Sequence, residues 1–130
     1  MDELYGILLN WAVLLSGYPA PEHPPQIKMV SHAWLEQEAC FGRHCKVLGW
    51  YRGGNVIYLD SRLDIKKTFD GSILVHELVH YLQKKNGGYM PSLGCGYAVD
   101  LEREAYAVQQ EYLVRQGIYR PVSVVQMGCE

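Results

Sequence analysis

The sequence predicts a small single domain of the α+β class, and three observations point to it. The chain has 130 residues, 48% of them hydrophobic and 20% charged, which suits one hydrophobic core and argues against disorder. Two segments, residues 72–87 and 100–116, carry the apolar period of buried helices. Short β-rich runs, Gln26–Val30, Cys45–Tyr51 and Asn55–Asp60, lie among the helical segments.

The elements follow in chain order. Leu4, Leu8, Trp11 and Leu15 fall at i, i+4, i+7 and i+11, so an amphipathic first helix should end near Ser16-Gly17. Its apolar run from Ile7 to Leu15 could pass for a signal-peptide core. Asp2 and Glu3 precede it and no Lys or Arg does, which favours the helix. Any secretion signal would have been removed before this sequence begins. Pro19, Pro21, Pro24 and Pro25 then impose an extended crossing, with His23 at the surface. After the strand Gln26–Val30, Ser31 can cap a short helix through Trp34, Leu35 and Glu38 that ends by Gly42. Gly53-Gly54 reads as a two-residue hairpin turn between strands Cys45–Tyr51 and Asn55–Asp60. Ser61–Gly71 is polar and reads as a loop. Asp70 or Ser72 can cap the next helix, and Gly87-Gly88 ends it. Tyr89–Val99, with Pro91, Gly94 and Gly96, reads as a second loop. The last helix is expected from about Asp100 to Gln116.

Composition excludes some functions. Twelve Lys and Arg against 14 Asp and Glu give a net charge of −2 with no basic run, so nothing favours nucleic acid. No stretch is apolar for long enough to span a membrane. Cys40, Cys45, Cys95 and Cys129 form no C-x-x-C pair. Their even number favours two disulfides and an extracytoplasmic location, with three connectivities open. His44 lies between Cys40 and Cys45, and a tight disulfide loop or a plain turn is favoured there over a second metal site.

The chemistry is concentrated in His76-Glu77-Leu78-Val79-His80. Residues four apart on a helix share a face, so both imidazoles can reach one ion, and zinc accepts imidazole nitrogen. Glu77 is placed to take a proton from water at that ion. Val75, Leu78, Val79 and Leu82 form the core stripe. His76, His80 and Gln83 form a polar edge beside it. A catalytic zinc needs a third protein ligand. No histidine follows His80, and the later carboxylates are Asp100, Glu102, Glu104, Glu111 and Glu130. In the last helix Leu101, Ala105, Val108 and Tyr112 make the core stripe. Glu104 falls with Glu111 and Arg115 on a charged, solvated face, whereas Glu102 falls with Tyr106, Gln109 and Leu113 at the core's border. That border favours Glu102 over Glu104 as the third ligand.

These residues carry a resemblance. His76-Glu77-Leu78-Val79-His80 followed by a glutamate on a later helix resembles the gluzincin branch of zinc metallopeptidases. In that branch the third ligand commonly begins an E-x-E-A pattern. Glu102-Arg103-Glu104-Ala105 matches it, so the resemblance also points to Glu102. Tyr106 stands where many members carry Asp or Asn. A wider pattern, from Trp11 and Tyr18-Pro19 through Leu74–Gln83 and Cys95 to Glu102–Gln109, is similar to a group of small bacterial proteins with no assigned substrate. The resemblance implies a single zincin-like metallopeptidase domain over residues 1–130. It implies a short twisted sheet over the zinc helix, with an edge strand lining the cleft. Val56–Asp60 is the candidate edge.

The expected reaction is hydrolysis of peptide bonds. Zn2+ is held by His76, His80 and Glu102, Glu77 acts as general base, and Tyr81, Tyr89, Tyr97 or Tyr106 could support the oxyanion, although packing is the favoured role for each of the four. The expected partner is a peptide or protein substrate, and a monomer is favoured. The alternatives are a metal-dependent amidase acting on another amide, such as a cell-wall peptide, and a metal-binding or regulatory module with little proteolysis.

Overall fold

The computed structural model describes residues 3–122; Asp2, Cys129 and Glu130 lie outside them. Four helices pack with a three-stranded sheet. α1 spans Glu3–Ser16 and ends on Gly17, whose φ of +80° suits a glycine. Leu8 and Ala12 are its buried residues, and Leu4, Trp11 and Leu15 pack partly buried against the same core. Residues 17–25 form no helix or strand, as their prolines dictate.

β1 (Gln26–Val30) leads into α2 (His32–Ala39), where the Ser31 side chain accepts a hydrogen bond from the Trp34 amide. β2 is shorter than the sequence suggests, covering Gly49–Tyr51 alone. Residues 45–48 are diverted from strand by their anchors on α2. The Cys40–Cys45 disulfide holds them, the Glu36 carboxylate takes the Cys45 amide, and His32 bonds the Cys45 carbonyl at 3.0 Å. His44 sits on this loop at the surface and bonds Glu36.

β3 (Val56–Asp60) pairs parallel with β1 and antiparallel with β2, giving the order β1-β3-β2. This corrects the expected edge: β3 is the central strand and β2 is an edge. The hairpin is also wider than a two-residue turn. The β2–β3 ladder stops at Tyr51–Ile57, and only Gly53 takes a positive φ, of +98°.

The period-2 alternation of β3 divides the two faces. Ile57 and Leu59 join the main core with Tyr51. On the other face the Trp34 ring of α2 lies against Tyr58 and Trp50, 4.7 and 6.1 Å between centroids. Buried Asp60 sits there too, bonded by Arg62 and His32.

α3 runs Thr68–Lys85 and starts earlier than the polar sequence implies. Lys67 precedes it without a side-chain cap. Neither expected cap serves: Asp70 accepts from the Asp64 amide and Ser72 donates to the Phe69 carbonyl. Gly87 ends the helix at φ +78°. Val75, Leu78, Val79 and Leu82 are all fully buried. α1 and α4 pack against α3, as do β2 and β3. α3 is thus the central element of the core, which is why almost its whole circumference from Gly71 to Gln83 is buried.

Pro91–Leu93 form a short 3-10 turn, and α4 then spans Cys95–Arg115. It begins one turn before Asp100, because Ala98 already donates to the Gly94 carbonyl. Cys95 is disulfide-bonded as well. No helix among the described residues is long and apolar enough to cross a membrane.

Candidate metal centre

Two helices supply the site. The α3 stripe sets which way that helix faces, and this turns His76 and His80 towards α4. The stripe of Leu101, Ala105, Val108 and Tyr112, all buried, brings Glu102 opposite them. His76, His80 and Glu102 each offer one ligand atom, all within 4.8 Å of one another. Glu102 lies against His80 Nε2, and its other oxygen is 3.5 Å from His76 Nε2. Among the described residues this is the one group of three His, Cys, Asp or Glu side chains that could hold a metal ion.

Two glutamines orient the imidazoles, and the sequence had shown no role for either. Ser72 Oγ donates to the Phe69 carbonyl at 2.5 Å, so it accepts from Gln109 Nε2 at 3.1 Å. Gln109 Oε1 therefore faces His76 Nδ1, 3.0 Å away, and accepts a hydrogen bond from its N–H. Gln83 works the same way. Its Nε2 donates to the Leu101 carbonyl and to Glu104 Oε1, at 3.0 and 2.9 Å. Its Oε1 then accepts from His80 Nδ1 at 2.8 Å. With both Nδ1 atoms committed to the glutamines, the Nε2 atoms are the ones that face Glu102, and a metal held there would take the place of protons on Nε2. A metal-ligating imidazole has its other ring nitrogen fixed in this way. Gln109, one turn after Tyr106 on α4, is the residue that orients His76. Tyr106 instead lays its ring on His76, 4.4 Å between centroids.

Glu104 is not a solvated charge. It is half-buried, and its Oε1 accepts from the Tyr18 hydroxyl at 2.6 Å as well as from Gln83. The helical period misses this because the extended segment after α1 and the end of α3 both reach that face. Burial and Glu104 push the Tyr18 hydroxyl up to about 12, so it stays a donor.

Glu77 projects beside the ligands, with Oε2 3.9 Å from His76 Nε2. Burial raises its carboxyl, and the charge of Glu102 adds to this against the opposing pull of His76 and His80. Burial alone would raise Glu102 too, but hydrogen bonds and charge from His76 and His80 outweigh it and hold the carboxyl well below its usual range. For His80, burial pulls the ring down, and the Glu102 hydrogen bond with the charges of Glu77 and Glu102 overcomes it. The carboxylates thus favour positive charge at this spot, which a divalent ion supplies as well as a proton does. Two imidazole nitrogens and one carboxylate form a donor set that fits zinc.

The centre floors a cleft of about 400 Å³, walled on one side by Lys46–Tyr51 and on the other by Glu102, Tyr106 and Gln109. Gly49 has a role that the sequence did not reveal. A Cβ there would lie 2.9 Å from Glu77 Cγ and 3.3 Å from its Oε2, so only glycine lets β2 close over that carboxylate. Of the four candidate tyrosines, Tyr81 and Tyr97 spend their hydroxyls on the carbonyls of His23 and Gly88. Tyr89 donates to the Tyr51 carbonyl. Tyr89 and Tyr106 line the cleft. A larger concavity of about 580 Å³ lies between the proline-rich crossing and Lys85, and the metal-binding group is not part of it.

No curated protein and no solved structure matches the chain. One family model does, and it covers the helices, the sheet edge and every residue of this centre. Across residues 1–130 the chain belongs to the family described as Domain of unknown function (DUF6647).

Proposed function

We propose that the chain is a zinc-dependent metallopeptidase with Glu77 as general base. The observation that carries this reading is the convergence of His76, His80 and Glu102 within 4.8 Å at the floor of a cleft walled by a sheet edge. Zinc held by these three residues would supply an acidified water, of pKa about 7, and polarise the scissile carbonyl. The chain's own groups do the rest. Glu77, raised by burial, accepts the proton of the attacking water and returns it to the leaving amine. Gln83 and Gln109 keep both imidazoles in one tautomer and orientation throughout. Tyr106, with its ring over His76, is the tyrosine left to donate to the oxygen that gains charge.

A peptide fits better than other amides because the β2 edge presents main-chain N–H and C=O groups along the cleft. The Cys40–Cys45 disulfide suits an oxidising, extracytoplasmic setting.

The test joins metal analysis with cleavage of a tryptic-peptide mixture read by mass spectrometry. One zinc per chain is expected. Glu77→Gln should keep that zinc and cut roughly 10²–10⁴-fold more slowly. A purified chain that takes up no zinc would refute the reading. Zinc with no turnover in the unaltered chain would leave a metal-binding module in its place.

A further inference from the structure

The β2 edge offers main-chain groups to the cleft at alternate residues, and one of those positions is already bonded. In an antiparallel ladder, directly bonded pairs alternate with unbonded ones. The Asp60 amide donates to the Leu48 carbonyl, so Leu48–Asp60 and Trp50–Tyr58 are the bonded pairs. Gly49 and Tyr51, paired with Leu59 and Ile57, therefore turn their N–H and C=O groups away from β3, towards the free edge. An incoming extended chain uses every second residue of an edge, here Gly49 and then Tyr51.

The Tyr51 position is already taken. The Tyr89 hydroxyl donates to the Tyr51 carbonyl at 3.0 Å. The Tyr89 ring stands 5.3 Å from the Tyr51 ring and 5.3 Å from the His80 ring, centroid to centroid. Tyr89 is also pinned from behind. The Gly88 amide donates to the Gln83 carbonyl at 2.7 Å, and the Tyr97 hydroxyl donates to the Gly88 carbonyl. At the other end Lys46, Val47 and Leu48 continue the wall past Gly49, and among the described residues no side chain bonds the Gly49 N–H or C=O.

We infer that Tyr89 ends the substrate cleft beside His80, so that the chain takes peptides by an end and cuts near it. The inference rests on the peptidase reading and specifies its substrate class. Tyr51 lies two residues beyond Gly49 on the edge, roughly 7 Å at about 3.3 Å per residue, so a chain paired at Gly49 has room for roughly one or two residues before it meets Tyr89. The other side accepts a chain of any length.

The experiment uses the zinc-loaded full chain and phosphinic pseudopeptides lengthened one residue at a time on either side of the phosphinate. Affinities are measured by calorimetry. Lengthening on one side should be tolerated, whereas on the other side a third residue should weaken binding at least tenfold. Which side is penalised tells whether the captured end is amino or carboxyl. Tyr89→Ala should remove the penalty, and Tyr89→Phe, which keeps the ring, should retain it. Equal tolerance on both sides in the unaltered chain would overturn the inference with no variant needed, and so would a penalty that survives in folded Tyr89→Ala. Binding of the series without turnover of peptides would overturn the hydrolytic reading and leave the closed end intact. Failure of the whole series to bind would overturn both.

Discussion

Gln109→Met tests whether the amide behind His76 sets the metal site. The substitution keeps the side chain's length and removes both its acceptor and its donor. Two contacts go: the 3.0 Å bond from His76 Nδ1 and the 3.1 Å bond to Ser72 Oγ. A buried donor left unsatisfied costs about 1–3 kcal/mol. His76 has an escape, because its proton can move to Nε2, where a Glu102 oxygen lies 3.5 Å away. The metal-free protein should therefore lose little stability. The cost falls on zinc, which must then bind either a ring in the wrong tautomer or one with an unpaired Nδ1–H. Affinity should drop about 10–100-fold, equivalent to about 1.4–2.8 kcal/mol. The assay is zinc competition against a chromogenic chelator, paired with melting curves with and without zinc. The zinc-induced rise in Tm should shrink while the metal-free Tm holds. Gln109→Glu, which retains an acceptor, should bind zinc more tightly than Gln109→Met. Gln110→Met is the control, since Gln110 bonds the Arg120 carbonyl and the Val122 amide instead. An affinity within twofold of the unaltered chain, or an equal loss in the control, would refute the reasoning.

Other outcomes follow from the same geometry. Gly49→Ala should keep zinc and lose most cleavage, because its Cβ displaces Glu77 and Ile73 at a cost of about 1–3 kcal/mol; unchanged kcat with bound zinc would count against it. Glu102→Ala should abolish tight zinc binding. Glu104→Ala should keep zinc with weakened affinity, since it frees Gln83 from one of its two acceptors; the reverse order in a chelator titration would exchange the two roles. The Asp60 carboxyl is held down at about 2, chiefly by hydrogen bonds from Arg62. A depressed carboxyl stabilises the fold above its unfolded pKa and loses that contribution as pH falls through the folded value. Stability should therefore drop by about 2 kcal/mol between about pH 4 and 2. Denaturant melts of Asp60→Asn should lack that portion of the acid slope.

How much of this was legible in the chain depends on the range of the interaction involved. His76 and His80 needed only the four-residue spacing of one helix. The stripes on α3 and α4 are local periodicities too, and together they made Glu102 the better third ligand. Interactions between distant segments were not legible. Glu104 looked solvated because nothing in α4 indicates that Tyr18 and Gln83 arrive at its face. Val56–Asp60 looked like an edge strand because a hairpin alone does not reveal that β1 pairs on its far side. Gln109 had no visible role until the packing of α3 on α4 set it behind His76. Gly49 was one glycine among 13 until β2 came to lie on Glu77.

The sequence by itself determined the candidate metal-ligand residue types, the helix that carries two of them and the α+β class, because these rest on spacing and polarity within one element. The tertiary structure alone decided which glutamines meet His76 and His80, which strand walls the cleft and which tyrosine bonds its edge at Tyr51. Each of those depends on hydrogen bonds between groups far apart in the chain, whose meeting no local pattern encodes.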